Sequence, residues 1–170
     1  MTATDITHEY IVEKLSTQFP GKILSQEEPY GLLSLNVPRE NAIEIIKWLK
    51  EDSELQFIFM TDLCGVHFPE QTGFELGVIY HLHSFIHNIR LRVRTFFPAN
   101  DPVVSTATTV FRAANWMERE TFDFFGIRFT GHPDLRRILN VDDMTYHPLL
   151  KKYPLEDDTR TDKEDKYFGR

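Results

Sequence analysis

Residues 118–139 read Glu-Arg-Glu-Thr-Phe-Asp-Phe-Phe-Gly-Ile-Arg-Phe-Thr-Gly-His-Pro-Asp-Leu-Arg-Arg-Ile-Leu. This signature run mixes charges, aromatic residues, two glycines and a proline, and the neighbouring elements can be assigned from it. Apolar residues at helical spacing before the run predict a helix that enters it, with Ser105 or Thr106 as its cap. Gly126 favours the left-handed conformation that ends a helix, so the helix should end near Phe125 and lead into a tight turn and a loop.

The charges of the run argue against one kind of active site. Glu118 and Glu120 are two residues apart, so on a helix they point in different directions, whereas a paired-carboxylate site needs both groups to face one substrate. Arg119 and Asp123, spaced i,i+4, are predicted to pair on the helix surface. Charged residues in such a run often lie on the solvent-exposed face of a helix. The surrounding phenylalanines, which one helix face cannot all bury, favour the core of a protein–protein interface instead.

The run resembles the signature of the 30 kDa subunit family of respiratory complex I, the proton-translocating NADH:quinone oxidoreductase. That signature is Glu-Arg-Glu, two residues, an acid, two apolar or aromatic residues, a six-residue gap, His, three residues, Arg, one residue and an aliphatic residue. The matching positions are Glu118, Arg119, Glu120, Asp123, Phe124, Phe125, His132, Arg136 and Ile138. The resemblance covers roughly residues 55–155, including Asp62–Val66, Val78–Leu82, Asn115–Trp116, His147–Leu149 and Tyr153–Pro154.

The resemblance implies a structural role without catalysis by this chain. Members of this family lie in the peripheral arm and pack against the quinone-site subunit, which is similar to the large subunit of nickel–iron hydrogenases. The small subunit with the terminal iron–sulfur cluster is nearby. The family member binds no flavin and no iron–sulfur cluster itself, so no cofactor or metal is expected in this chain, while the assembled complex uses NADH, FMN, iron–sulfur clusters and quinone. The residues expected to form the partner interface are Glu118, Arg119, Glu120, Asp123, Phe125, Gly126, His132, Asp134, Arg136 and Arg137.

The chain departs from the family pattern near its end. Family members usually read Gly-His-Pro-Leu-Arg-Lys-Asp-Tyr-Pro there. Tyr146 replaces the glycine, Leu150 the arginine and Lys152 the aspartate. These replacements weaken the implied docking role for residues 146–154.

The amino-acid composition limits the classes of protein to which the chain can belong. The 170 residues, 41% apolar and 13% aromatic, predict one domain over residues 1–155 and a charged tail over 156–170, either disordered or strapped over a partner. The net charge of −7 opposes a nucleic-acid surface. The single Cys64 excludes an internal disulfide, and it is expected to be a small core residue. No apolar run approaches a membrane span and no targeting segment is evident, which favours a peripheral position on the cytoplasmic face of a bacterial inner membrane.

The whole pattern predicts an α+β fold. Two N-terminal helices should pack with a mostly antiparallel sheet, followed by the signature helix, its turn and loop, and an extended C-terminal tail. The elements predicted before residue 70 are a helix over residues 4–19 capped by Thr4 or Asp5, a strand Tyr30–Val37, a helix from Pro38 to about Lys50, a strand Phe57–Met60, and a turn within Asp62–Gly65.

The clearest β signal is a hairpin. Alternating apolar residues over 74–82 and 89–93 predict two strands joined by residues 84–88. On the opposite face, His81 and His83 could bind zinc, but no carboxylate or cysteine at ligand spacing accompanies them. A row of arginines there could bind phosphate, which the acidic composition opposes. We therefore expect a polar sheet face, covered by another element or a partner, on which Glu75 pairs with Arg90, Arg92 or Arg94.

Three other functions remain open from the sequence. The chain could be the equivalent subunit of a membrane-bound hydrogenase, an F420H2 dehydrogenase or a ferredoxin-fed quinone oxidoreductase. It could be a free-standing enzyme that uses His132 and Asp134 as a general base pair. It could also be a stand-alone binding module, which would be a stable monomer without exposed apolar patches. The sequence contains no glycine-rich phosphate loop and no Gly-x-Ser-x-Gly or Cys-x-x-Cys motif.

Overall fold

A computed structural model of the chain describes residues 6–154, and it confirms the α+β class. The predicted 156–170 tail and the predicted caps Thr4 and Asp5 lie outside the described residues. In chain order the elements are α1 (His8–Gln18), β1 (Ser25–Glu27), β2 (Leu33–Asn36), α2 (Ala42–Glu51), β3 (Phe59–His67), β4 (Leu76–Ser84), β5 (Ile89–Phe97), β6 (Val103–Ser105), α3 (Ala114–Phe125) and β7 (Arg128–Thr130).

Five strands form the main sheet, in the order β1-β2-β5-β4-β3. The neighbouring pairs are antiparallel except β2 and β5, which run parallel, so the sheet is mixed rather than simply antiparallel. Strands β6 and β7 form a second, two-stranded parallel sheet that was not predicted. Strand β6 precedes α3 along the chain and β7 follows it, so the small sheet joins the segments on either side of the signature helix.

The apolar stripes of the first two helices are confirmed. Ile11 and Leu15 of α1 and Ile45 of α2 are fully buried. Both helices are shorter than predicted. Thr7 caps α1 by accepting a hydrogen bond from the backbone N–H of Tyr10 at 3.3 Å. Helix α2 starts at Ala42 instead of Pro38, because residues 38–41 form a turn closed by a hydrogen bond from the N–H of residue 41 to the carbonyl of residue 38.

The predicted turn within Asp62–Gly65 is wrong, because these residues lie inside strand β3. Asp62 pairs with His81 and Gly65 with Val78 on β4, after a bulge between residues 60 and 62. Strand β3 is the edge of the sheet, and edge strands commonly carry polar residues and bulges that resemble a loop in sequence. It also begins at Phe59, two residues later than predicted.

The hairpin prediction is confirmed in β4 and β5, which pair along their full length. The predicted strand Tyr30–Val37 shrinks to β2, because Tyr30 adopts a positive φ of 58° in a 3-10 turn. The predicted pairing of Glu75 with the arginines is wrong. Its carboxylate accepts hydrogen bonds from the backbone N–H of Gly73 at 2.9 Å and of Ala99 at 3.1 Å. Arg94 instead forms an ion pair with Glu27.

The signature helix α3 begins at Ala114, so the predicted caps Ser105 and Thr106 are wrong. Ser105 ends β6, and Thr106 lies between β6 and the helix. The predicted end at Phe125 is confirmed, followed by Gly126 with a φ of 78°. Helix α3 packs closely on β3: a Cβ at Gly65 would lie 2.6 Å from Cδ2 of Phe125, so only glycine fits without displacing the ring.

Candidate functional site

The centre of the site is the carboxylate of Asp123, which is fully buried in the last turns of α3. The predicted surface pair with Arg119 is therefore wrong. The carboxylate accepts hydrogen bonds from Arg137 Nη1 at 2.6 Å, the backbone N–H groups of Ile138, Leu139 and Asn140 at 2.9 to 3.1 Å, and Asn140 Nδ2 at 3.0 Å. These bonds hold the end of the signature run, residues 137–140, against the helix.

The environment of Asp123 sets its charge. Burial alone would raise the pKa of this carboxyl, but the hydrogen bonds from Asn140, Leu139 and Arg137 outweigh burial and hold the pKa well below its usual range. A lowered native pKa means that this group stabilises the fold above the unfolded-state pKa of about 3.9 and loses that contribution as the pH falls further. Asp123 therefore stays ionised and bound to its loop at neutral pH.

Arg137 extends the same network to the following segment. Its Nη2 donates to the backbone carbonyls of Met144 at 2.6 Å and Tyr146 at 2.9 Å. Nδ1 of His147 lies 2.9 Å from the carbonyl oxygen of Asp123. Because Tyr146 contributes its carbonyl here, the replacement of the family's glycine at this position does not remove the contact.

Arg119 binds the loop from the other side. Its Nε donates to the carbonyl of Arg136 at 3.1 Å and its Nη2 to the carbonyl of Arg137 at 2.9 Å. The guanidinium also lies 5.3 Å from the centre of the Trp116 ring. Such contacts restrict both the long arginine side chain and the backbone that it holds. Residues 136–140 are thus held by two side chains of α3, one acidic and one basic.

Glu118 performs a similar task at the start of the helix. It is fully buried, and its carboxylate accepts hydrogen bonds from Thr106 Oγ1 and from the backbone N–H of Ala107, both at 2.6 Å. Burial raises the pKa of Glu118 to about 7, and the two hydrogen bonds oppose that rise only in part. The carboxyl therefore links α3 to the connection from β6 and titrates near neutral pH.

We expect Glu118→Gln to remove a pH dependence of stability. The amide can keep both contacts, accepting from Ala107 and donating to Thr106, and it carries no charge. The native carboxyl binds its proton more tightly than the unfolded one, whose pKa is near 4.5, so its contribution is fully present below pH 4.5 and is lost as the pH rises through about 7. The two proteins should be equally stable near pH 4.5, and the variant more stable by about 2–3 kcal/mol near pH 8.

Urea unfolding at a series of pH values measures this difference. The matched control is Glu120→Gln, an exposed residue two positions along the same helix, which should change stability by no more than about 0.5 kcal/mol at any pH. A difference between wild type and Glu118→Gln that stays constant from pH 4.5 to about 8 would contradict the raised pKa.

His132 is held by both ring nitrogens. Its Nδ1 accepts a hydrogen bond from the backbone N–H of Asp134 at 3.0 Å, so Nε2 carries the proton and donates to the carbonyl of Asn115 at 3.0 Å. The carboxylate of Asp134 forms an ion pair with Arg136 at 2.9 Å. This geometry does not favour the general base pair, because Asp134 meets the imidazole through its backbone and the ring has no free nitrogen for a substrate.

The side chains that remain exposed form a mixed surface beside this network, which we call the docking face. Trp116 is 63% exposed and the Arg136 side chain is 70% exposed. The docking face comprises Trp116, Glu120, Asp134, Arg136, Leu139 and Val141. Of the residues predicted for the interface, two are buried within the domain, Glu118 and Asp123. Five are partly buried: Arg119, Phe125, Gly126, His132 and Arg137. The other three, Glu120, Asp134 and Arg136, are exposed.

The sequence did not reveal several members of this site. Asn140 and Thr106 lie outside the signature pattern, and each supplies a hydrogen bond to a buried carboxylate of α3. Leu139 and Val141 are exposed apolar side chains that the sequence analysis did not single out. The one sequence signal was the number of aromatic and apolar residues in the run, which exceeds what a single helix face can bury.

One group of side chains outside this site could bind a metal ion. Ligand atoms of Asp62, Cys64 and His81 lie within 4.8 Å of one another. This corrects two expectations: a carboxylate and a cysteine do accompany His81, and Cys64 is half-buried rather than a core residue. They are brought together by the pairing of β3 with β4, in the stretch where the sequence pattern predicts a turn.

No helix within residues 6–154 is long and apolar enough to cross a membrane. The fold and the site define a class of protein, an α+β domain that holds an ordered loop against the end of a helix through two buried carboxylates and displays a mixed apolar and charged face. Residues 35–159 match the model of the family described as respiratory-chain NADH dehydrogenase, 30 Kd subunit. The chain belongs to this family.

Relatives of known name agree with the family. The corresponding NADH-quinone oxidoreductase subunit of Geobacter sulfurreducens is 38% identical over 159 residues, which cover 94% of each chain. Those of Nocardioides sp. and Nocardia farcinica are 42% and 44% identical over 125 residues. These 125 residues cover 74% of this chain, and the chain spans about half the length of these two relatives, 50% and 49%.

Solved structures agree with the fold. A trypsin-resistant fragment (1–134) of Nqo5 aligns with a TM-score of 0.64 at 32% identity, covering 75% of this chain and 98% of the fragment. One chain of the membrane-bound sulfane sulfur reductase, an archaeal respiratory membrane complex, aligns with a TM-score of 0.73 at 23% identity over 86% of this chain and 85% of that chain. At that identity the second likeness concerns the fold alone.

Proposed function

We propose that this chain is a non-catalytic structural subunit of the peripheral arm of proton-translocating NADH:quinone oxidoreductase. It docks the quinone-site subunit, the one similar to hydrogenase large subunits, near the small subunit with the terminal iron–sulfur cluster. NADH, FMN, iron–sulfur clusters and quinone are bound by other subunits of the complex. The complex lies at the cytoplasmic face of a bacterial inner membrane, which this chain reaches only through its partners.

The observation that carries this proposal is the docking face on its rigid support. Trp116 on α3 and Leu139 and Val141 after it expose apolar surface, and Arg136 exposes a charge in the same loop region; Trp and Arg are enriched among residues that dominate binding energy. The backbone that presents Arg136 and Leu139 is bound to α3 through Arg119 and Asp123. Such preorganisation lowers the entropy cost of binding. The named relatives are NADH-quinone oxidoreductase subunits.

The second candidate function is that of the equivalent subunit in a related respiratory complex. The similarity of fold to a chain of an archaeal sulfane sulfur reductase complex favours the view that this domain serves several respiratory assemblies. A membrane-bound hydrogenase, an F420H2 dehydrogenase or a ferredoxin:quinone oxidoreductase would use the same docking face with a different electron-input module. The electron donor of the assembly distinguishes these candidates.

The proposal predicts that the double variant Arg136→Ala, Glu120→Ala weakens assembly. Both side chains are exposed in the free chain, so folding should be preserved, while an interface that buries them would lose about 2–5 kcal/mol for a desolvated hydrogen-bonded pair. The tagged variant is captured from gently solubilised native membranes. The captured complex is then run on a native gel and assayed for NADH-driven quinone reduction.

A matched control removes one base and one acid elsewhere. Lys47→Ala with Glu51→Ala deletes an exposed i,i+4 pair on α2 whose side chains are 61% and 64% exposed. Assembly and NADH activity should be normal in this control and reduced in the docking-face variant. Normal assembly and normal quinone reduction in both double variants would contradict the docking proposal. A large complex that is active only with an electron donor other than NADH would support the second candidate, a subunit of a related respiratory complex.

A further inference from the structure

Three side chains that could act as metal ligands lie close together at the edge of the main sheet. Asp62 and Cys64 are two residues apart on β3, so their side chains point to the same face, and His81 on β4 is the direct pairing partner of Asp62. Helix α3 packs against the opposite face, where Gly65 meets Phe125. The bulge just before Asp62 re-aims this part of the strand. The three side chains therefore converge on the face that this helix leaves open.

The spacing suits a small tetrahedral ion. The carboxylate oxygen, Sγ and imidazole nitrogen lie within 4.8 Å of one another. In a tetrahedral zinc site, ligand atoms about 2.0–2.3 Å from the ion are roughly 3.3–3.8 Å apart. Closing the difference takes small side-chain rotations, and Asp62 is exposed and free to make them.

The local charge also favours a cation. As ligands, the carboxylate of Asp62 and the thiolate of Cys64 supply two negative charges, which a divalent ion neutralises.

We propose that Asp62, Cys64 and His81 bind a divalent cation of the zinc class, with water completing a tetrahedral site. On binding, the S–H bond of Cys64 breaks, Sγ bonds to the metal, and the proton goes to solvent. Thiolate and imidazole ligands select zinc over magnesium or calcium, which prefer all-oxygen sites. This site is on a different element from the docking face and is independent of the proposed role in complex I.

Cobalt(II) is the probe, because it reports tetrahedral thiolate coordination by its charge-transfer and intense visible bands. The tag-free full-length chain, reduced and free of oxygen, is titrated with cobalt(II) and then with zinc(II). We expect both bands to develop and to vanish when zinc displaces cobalt. The variant Cys64→Ser should lose the charge-transfer band, and His81→Ala should bind about 10-fold or more weakly. His83→Ala, two residues along the same strand, is the matched control and should bind like wild type.

A measurement on the unaltered chain covers the event that a variant misfolds. Zinc should slow the alkylation of Cys64 by iodoacetamide at least about 10-fold, as expected for a metal-bound thiolate, whereas magnesium should not. The proposal is overturned if wild type shows no cobalt charge-transfer band up to about 1 mM metal, which is beyond the range of a specific site. It is also overturned if His81→Ala binds as well as wild type, since a lone thiol would then account for the signal, or if His83→Ala loses binding equally.

Discussion

Replacing Asp123 by alanine is expected to lower the free energy of unfolding by about 3–5 kcal/mol. The substitution leaves Arg137, whose side chain is 11% exposed, as an uncompensated buried charge. It also removes the acceptor of the backbone N–H groups of Ile138, Leu139 and Asn140. Leaving buried donors without acceptors costs about 1–3 kcal/mol for each group. The loss should be concentrated in the loop that this carboxylate binds.

Two measurements check this result. Urea unfolding gives the change in global stability, and hydrogen exchange should show the amides of residues 138–140 losing protection first. Asp123→Asn distinguishes the loss of hydrogen bonds from the loss of side-chain volume. Asparagine keeps the size of the side chain but turns an NH2 group toward the donors, so most of the loss in the free energy of unfolding should remain. Asp134→Ala removes an exposed partner of Arg136 and should cost less than about 1 kcal/mol. Equal stability of Asp123→Ala and wild type would show that the network contributes little.

Gly126→Ala is expected to cost about 2–5 kcal/mol. A φ of 78° is left-handed and costs an L-residue roughly 1–2 kcal/mol. An added Cβ would also lie 2.7 Å from Cδ2 of His147, which must move. His147 cannot move freely, because its Nδ1 contacts the carbonyl of Asp123 and its ring packs edge-on against Phe122 at 5.7 Å between ring centres.

Gly21→Ala is the matched control for backbone strain. Gly21 has a φ of 69°, and nothing lies within 4 Å of a Cβ added there. Its cost should be the backbone term alone, about 1–2 kcal/mol. Thermal and urea unfolding of both variants therefore isolate the contact with His147 as the difference. If Gly126→Ala and Gly21→Ala lost the same stability, His147 would not constrain the end of α3.

Both of these positions support the docking face rather than belong to it. Asp123 and Gly126 are buried or half-buried, and both act by fixing where residues 137–147 run. A variant at either position should therefore reduce assembly together with stability. Arg136→Ala with Glu120→Ala should reduce assembly while stability is kept. Comparing the two kinds of variant separates a loss of contacts from a loss of preorganisation.

The parts of the fold that local patterns could predict were the amphipathic helices, the β4–β5 hairpin and the end of α3 at Phe125. Each is set by contacts within a few residues along the chain, so its period or its terminating glycine is visible in the sequence. The parts predicted wrongly depend on distant partners. The polar stretch at Asp62 becomes a strand only because β4 pairs with it.

Composition and motif spacing by themselves determined the class of fold, the family and the residue at which the signature helix ends. Only the tertiary structure decided what each charge in that helix does. Glu118 and Asp123 turn inward because their hydrogen-bond donors lie 11 to 17 residues away and meet them only when the segments before and after α3 fold against the helix. A charged side chain is buried when enough partners surround it, and local sequence does not specify those partners. The same reason explains why Cys64 and His81, distant along the chain, meet at the sheet edge.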